Sequence, residues 1–243
     1  MSNILFIFEG EKTEQFIIKN LTKYFINEQN NTLITCAYCA EIYQLYDEIS
    51  KDIDLDTFTL LKKIKANKEV LAQYSRNDFA EIYMFFDYDG HSTLADDNKI
   101  INLLNLFNEE TEKGKLYINY PMVESLKHIK SIESFKDSKV NAKENIRYKE
   151  LVNFESRNEY KQINNYSEKL WLQVINLHIM KANFITNDKY ILPLNNISQF
   201  NIFEKQLEKY INIDNTVSVL NSFPIFLLDY YGFLFITNLI EKK

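Results

Sequence analysis

Apolar positions along the chain follow two rhythms. Residues 3–8, Asn-Ile-Leu-Phe-Ile-Phe, form a short apolar run that ends at Glu9-Gly10. Its length and its β-branched and aromatic content predict a buried strand. Thr13 is then placed to cap a helix in which Phe16, Ile17, Leu21 and Phe25 recur at helical spacing. Leu33 to Ala37 predicts a second strand. Residues 41–51 and 57–75 predict helices, the second with Leu60, Leu61, Ile64, Val70, Leu71 and Tyr74 on one face. Residues 81–86, Glu-Ile-Tyr-Met-Phe-Phe, predict another buried strand, which runs into Asp87-Tyr88-Asp89-Gly90-His91. A helix around 96–110 follows, with Ile100, Ile101, Leu104 and Phe107 on one side and Asp96 and Asp97 at its start as caps. Leu116 to Tyr120 predicts a fourth strand stopped by Pro121, and a short helix from Met122 to Ile129 comes next.

Strands alternating with helices over residues 1–130 predict an α/β fold with a mostly parallel sheet flanked by helices. From residue 131 the character changes. Residues 131–150 are polar and charged, and helical segments follow near 147–163, 167–182, 199–211 and 223–240. The expected organisation is therefore an α/β domain over residues 1–130 and a helical C-terminal region over 131–243. Trp171 and His178 lie on a helical apolar stripe and read as core.

Composition narrows this picture. The 243 residues are 46% apolar and 14% aromatic, with 18 Phe and 16 Tyr, which is ample material for a core and excludes a disordered or collagen-like chain. Only 4 Gly and 3 Pro occur, against glycine-rich phosphate loops and turn-rich all-β folds. The two cysteines, Cys36 and Cys39, have no second pair to complete a zinc site and read as reduced, packed thiols near a strand end. The first residues lack a basic signal-peptide region, and the apolar run from Pro224 to Ile240 carries Asp229 and is too short to span cleanly. These features predict a soluble cytoplasmic protein without membrane contact. The net charge of −6 argues against a general polyanion-coating protein, so a nucleic-acid contact requires a local basic patch or bridging metal ions.

Functional groups of an open parallel sheet gather beyond the carboxyl ends of its strands. Glu9 falls there after the first strand, and Asp87 and Asp89 after the central one. Two-residue spacing puts Asp87 and Asp89 on one side of an extended chain. Such carboxylates repel one another unless a cation joins them, and their hard oxygens suit Mg²⁺ or Mn²⁺. Gly10 and Gly90, two of the four glycines, follow these acids and let the backbone turn beside them. The plainer reading is that acids ending strands cap the next helix or meet solvent.

The segment Ile7-Phe8-Glu9-Gly10-Glu11-Lys12-Thr13-Glu14, with Phe86-Asp87-Tyr88-Asp89 far downstream, resembles a TOPRIM domain. That is the catalytic module of topoisomerases, primases, small ribosomal-RNA maturases and the nucleases of overcoming-lysogenization-defect and related phage-defence systems. The form Glu-Gly-Glu-Lys-Thr-Glu is most similar to the stand-alone TOPRIM proteins of defence loci, the RloB-like group and the TOPRIM partners of defence ATPases. The resemblance covers residues 1–130, with residues 41–75 as an insertion. It implies that Glu9 acts as general acid/base or metal ligand and that Asp87 and Asp89 hold Mg²⁺.

Other candidates adjoin these acids. Glu124 lies just past the fourth strand in Pro121-Met122-Val123-Glu124, similar to a Pro-x-x-Glu segment of RloB-like proteins. It reads as a metal-site residue or as an acid complementing a helix N-terminus. His128, four residues on, can share its helix face, and Lys127 and His128 could touch a scissile phosphate or stand in solvent. His91 follows the acids as a supporting group or a surface residue. Lys12 reads as a phosphate contact at a helix start. It is no P-loop lysine, because the leading glycine of that motif is absent. From Lys127 to Lys149, seven basic residues face three acids, which reads as a phosphate-binding patch or as a solvated linker.

The expectation is a Mg²⁺- or Mn²⁺-dependent nuclease effector of bacterial phage defence, with RNA or DNA as substrate and Glu9, Asp87, Asp89 and Glu124 as its catalytic acids. The resemblance implies release or activation by a separate ATPase partner and leaves an oligomer open. Two other classes stay in view: a catalytically silent TOPRIM-fold binding subunit of a defence complex, and a phosphohydrolase acting on a small phosphorylated substrate.

Overall fold

The computed structural model describes residues 2–26, 31–52 and 56–241, and the chain divides into two compact units. The first comprises Met1–Asp87 and Leu94–Tyr117; the second comprises Tyr88–Thr93 and Ile118–Lys243. Relative to the expected division at residue 130, the change falls at 117/118, and residues 88–93 group with the C-terminal part.

The first unit is α/β. Its elements are β1 (Ser2–Phe8), α1 (Thr13–Phe25), β2 (Asn31–Ala37), α2 (Ile42–Ile49), α3 (Thr57–Lys63), β3 (Phe79–Asp87), α4 (Asp97–Leu106), β4 (Asn108–Glu109) and β5 (Gly114–Asn119). The last two residues of β5 belong to the second unit. The five-stranded sheet has the order β2-β1-β3-β5-β4. Strand β1 pairs in parallel with both β2 and β3, and the short edge strand β4 is antiparallel to β5. Residues Ile4 to Phe8 are at most 1% exposed, so β1 is covered on both faces, which is why its sequence is unbroken apolar rather than alternating. Phe6 lies opposite Tyr83 and Phe8 opposite Phe85, with ring centroids 5.7 Å apart in each pair. Phe85 stacks in turn on Tyr117 of β5 at 5.3 Å. Each such pair adds about 0.5–1.5 kcal/mol beyond area burial.

Three local expectations change. Thr13 is the first helical residue of α1; Lys12 holds the N-cap position, with no side-chain cap. The buried stripe of α1 runs through Ile17, Ile18, Leu21 and Phe25, while Phe16 is 54% exposed. The 57–75 segment is not one helix, because Ile64 is extended and a 3-10 turn, Lys65–Asn67, follows α3. The cause is Asn67, whose buried side chain exchanges two hydrogen bonds with the backbone of Ala37, at 3.0 and 2.8 Å. That exchange satisfies polar groups at the end of edge strand β2, which a continuous helix would leave unpaired.

The second unit is mainly helical. After a 3-10 turn, Val123–Lys127, come α5 (Ile132–Phe135), β6 (Lys139–Asn141), α6 (Tyr148–Glu155), α7 (Asn158–Lys161), α8 (Glu168–Asn187), α9 (Gln199–Gln206), α10 (Asn212–Asp214), β7 (Thr216–Ser218), α11 (Ser222–Tyr231) and α12 (Phe233–Glu241). The long helix α8 is central, with Trp171 and His178 fully buried, and α5, α9, α11 and α12 pack on it. The expected helical region also contains a two-stranded antiparallel sheet, in which Lys139 pairs with Ser218 and Asn141 with Thr216. The apolar 223–240 segment breaks at Gly232, where φ is +77° and the two helices bend by 113°. Among the described residues, no single helix is long and apolar enough to cross a membrane.

Candidate functional site

The order of the sheet places a crevice. The chain leaves β1 to form β2 on one side, then returns to form β3 on the other side of β1. Such a reversal is the topological switch point of an open α/β sheet, and ligands gather beyond the carboxyl ends of the strands that flank it. Glu9 follows the carboxyl end of β1, and Asp87 is the last residue of β3. The two acids are in direct contact, because Glu9 Oε2 accepts a 3.0 Å hydrogen bond from the backbone N–H of Asp87. Asp87 is buried at 4% exposure, while Glu9 is half-buried. The Glu9 N–H donates to Phe85 O and its carbonyl accepts from Cys39 N–H, so the turn after β1 is anchored on both sides.

Glu14 joins this end of the first unit. It is an acid in the first turn of α1 with only 5% exposure, and its Oε1 accepts from the Gly10 N–H at 3.3 Å. Burial of an acid in a first helical turn has no signature in local sequence. Lys12 is exposed and lines a shallow surface groove with Gln15, Phe16 and Lys19. Cys36 is buried, and burial pushes its thiol pKa up to about 12; Cys39 is an exposed free thiol that donates to Glu11, so only one of the pair is packed.

In the second unit, Asp89 carries the turn itself, with φ of +39°, and its N–H donates to Pro121 O at 3.3 Å. Gly10 has no such positive φ and meets only ordinary contacts, so the expected glycine turn is confined to the Asp89-Gly90 pair. Gly90 is needed for close approach, since a Cβ there would lie 2.7 Å from Ala142 O. Tyr88 is fully buried against Tyr120 and Phe203, and its hydroxyl accepts from Lys143 Nζ at 2.8 Å. Asp89 and His91 line a cleft of about 350 Å³ together with Met122, Arg147, Tyr148 and Lys149.

Glu124 lies in the 3-10 turn and is buried at 5% exposure. Its Oε1 is 3.7 Å from Lys149 Nζ, and its Oε2 is buried with no hydrogen-bond partner among the described residues. An unsatisfied buried carboxylate oxygen is costly and calls for a cation or a donor.

Two expectations about its neighbours are corrected. His128 does not share a helix face with Glu124, because the segment is a 3-10 turn that ends at His128. Nor is it a surface residue, being 1% exposed, with Nδ1 3.0 Å from the Tyr148 hydroxyl and Nε2 2.8 Å from Glu155. Lys127 is half-buried and donates to Asn153.

The basic stretch is neither a linker nor one continuous patch. Lys130 pairs with Glu155, Lys139 with Asp214, Arg147 with Glu150 and Lys149 with Glu124, while Lys136 lies over the Phe184 ring. Folding into α5, β6 and α6 distributes the charges among local acids.

No family model matches the chain, and no curated protein or solved structure does either. Among the described residues, no group of three or more His, Cys, Asp or Glu side chains is arranged as a metal site.

Proposed function

We propose that the protein is a metal-dependent nuclease of the TOPRIM type, acting as an effector of bacterial phage defence. The observation that carries this reading is the contact between Glu9 and Asp87 at the β1/β3 switch point, since a ligand crevice with paired acids is suited to phosphoryl chemistry. Within the second unit, the buried Oε2 of Glu124 has no hydrogen-bond partner among the described residues, and a cation would satisfy it.

The donor set is all carboxylate, which fits Mg²⁺ or Mn²⁺. Glu9 and Asp87 would hold the ion. When bound, such an ion neutralises phosphate charge and polarises the phosphorus. Glu9 is restrained through Oε2 by the Asp87 N–H. Lys12, exposed at the head of α1, would contact substrate phosphate. The substrate is RNA or DNA, and a separate ATPase partner would hold or release the activity.

The test incubates the protein with tRNA, other RNA and plasmid DNA, with Mg²⁺ or Mn²⁺ and with chelator, beside Glu9→Gln and Asp87→Asn. Metal-dependent cleavage that both variants lose is the expected result. Identical behaviour of wild type and variants, in cleavage and in cellular toxicity with a candidate partner, removes the reading and leaves a binding subunit.

A further inference from the structure

The sheet of the first unit has two unlike edges. Edge strand β4 is only two residues long, as protected edges commonly are. Edge strand β2 runs for seven residues, Asn31–Ala37, and pairs with β1 alone. Along a parallel strand, residues alternate between turning both backbone groups toward a neighbour and turning both away. Tyr38 N–H donates inward to Phe8 O at 2.7 Å, whereas Ala37 turns its N–H and O outward to the Asn67 side chain. Two-residue alternation from Ala37 turns the backbone groups of Thr35 and Leu33 outward as well. Asn67 closes the edge at Ala37; among the described residues, no strand pairs with the outward groups of Leu33 and Thr35.

Helix α1 supplies a wall beside this open edge. A groove of about 400 Å³ is lined by Lys12, Phe16 and Lys19 on the helix side and by Leu33 and Thr35 of β2. Lys12, Phe16 and Lys19 are spaced four and three residues apart, which stacks them along one helix face. Phe16 is more than half exposed, an apolar surface with nothing over it among the described residues. Lys12 and Lys19 are exposed and form no ion pair among the described residues. Against these two cations the lining holds one acid, Glu11, which accepts from the Cys39 thiol. A ligand for this groove must therefore bring alternating backbone donors and acceptors, an apolar side chain and negative charge.

We propose that the β2 edge and the α1 groove form a docking site for an extended acidic segment of a partner protein, which adds to the sheet as a further strand. Its backbone would pair with Leu33 and Thr35, an apolar side chain would lie over Phe16, and its carboxylates would meet Lys12 and Lys19. A phosphodiester backbone suits the lysines but not the edge, because phosphate oxygens only accept and give the outward carbonyls no donor. A second copy pairing edge to edge would bring its own Lys12 and Lys19 to the same seam, where like charges repel. The inference does not rest on the nuclease reading; under that reading, a strand seated here would cover Lys12 against substrate.

The full chain is used to select from a displayed library of random peptides. Selected peptides are labelled and titrated by fluorescence anisotropy against wild type, Thr35→Pro and the double variant Lys12→Glu, Lys19→Glu. The expected peptides are acidic, with β-branched or aromatic residues at alternate positions. Thr35→Pro removes an outward N–H and no bond to β1, so the strand should persist while binding falls by at least about tenfold. The double charge reversal should weaken binding by about tenfold at low salt and far less at high salt. If Thr35→Pro fails to fold, N-methylation of alternate peptide amides tests the same bonds and should cost as much. Failure to select any peptide, a basic consensus, or equal binding to wild type and Thr35→Pro overturns the proposal. So does tRNA that displaces the peptide from wild type and binds Thr35→Pro equally well, which would make the groove a nucleic-acid surface. A wild-type dimer in sedimentation that Thr35→Pro dissociates would give the edge to a second copy and overturn it too. None of these results bears on the nuclease reading, which cleavage decides.

Discussion

Glu9 Oε2 accepts a hydrogen bond of 3.0 Å from the backbone N–H of Asp87, so the acid that ends β1 is tied to the acid that ends β3. The bond separates two roles of Glu9. Its oxygen is a structural acceptor, and its charge is what the proposed cation requires. Glu9→Gln keeps an acceptor, so stability should change by under about 1 kcal/mol. Glu9→Ala leaves the Asp87 N–H without that partner and should cost about 1–3 kcal/mol. Both variants should lose metal-dependent cleavage. Urea denaturation beside the cleavage assay separates the two effects, and equal stability of the two variants would remove the structural role.

The two glycines beside the acids should respond differently to substitution. A Cβ at Gly90 would collide with the Tyr88 ring and lie 2.7 Å from Ala142 O, while one at Gly10 would come no closer than 3.4 Å to Glu14. Gly90→Ala should therefore destabilise by about 1–3 kcal/mol, and Gly10→Ala by less than about 1 kcal/mol. Thermal melts of the two variants check the contrast, which similar losses would contradict.

Lys181 is completely buried on α8. Its Nζ donates to Phe135 O, Ser138 O and Ser138 Oγ at 2.8, 2.7 and 2.6 Å. All three ammonium hydrogens are thus used, and the Phe135 ring lies 4.6 Å away as a further partner. Lys181→Met keeps the stem but removes one donor from each of three acceptors, although Phe135 O still accepts from Ser138 and Ser138 O from the Val219 N–H, and should cost about 1–3 kcal/mol. Equilibrium unfolding measures it; a neutral substitution would show that water replaces the ammonium.

His178 should make stability fall on acidification. Its Nδ1 accepts from the Asn221 N–H at 3.1 Å and its Nε2 lies 3.4 Å from Leu126 O, so the buried ring is neutral. Burial lowers its pKa to about 3. The unfolded chain protonates first, near pH 6.5, so stability is lost as pH falls from there toward 3, by about 2 kcal/mol at pH 5 from this group. His128 is shifted the same way and adds to the loss. His178→Gln should flatten the profile between those values, measured by urea unfolding at several pH values; parallel profiles for the two proteins would contradict the assignment.

Sequence alone determined the strands and the acids at their ends. Ile4 to Phe8 and Ile82 to Phe86 are apolar without interruption, and only a strand covered on both faces demands that of so short a run. Once those strands are placed, Glu9 and Asp87 must follow their carboxyl ends. The burial of Trp171 and His178 was equally readable from helical spacing. What the tertiary structure decided depends on partners far away in the chain. Asn67 breaks a helix because Ala37, thirty residues earlier, needs its side chain. Strands β6 and β7 pair Lys139 with Ser218, with no local signal in either three-residue segment. His128 looked like a surface residue because its helical neighbours are polar, and it became buried because Tyr148 and Glu155 arrive from α6 to satisfy both ring nitrogens. Periodicity reports which face of an element is buried. It carries no information about which distant polar group will satisfy another, and that pairing is what turns a histidine in a polar stretch into the centre of a network.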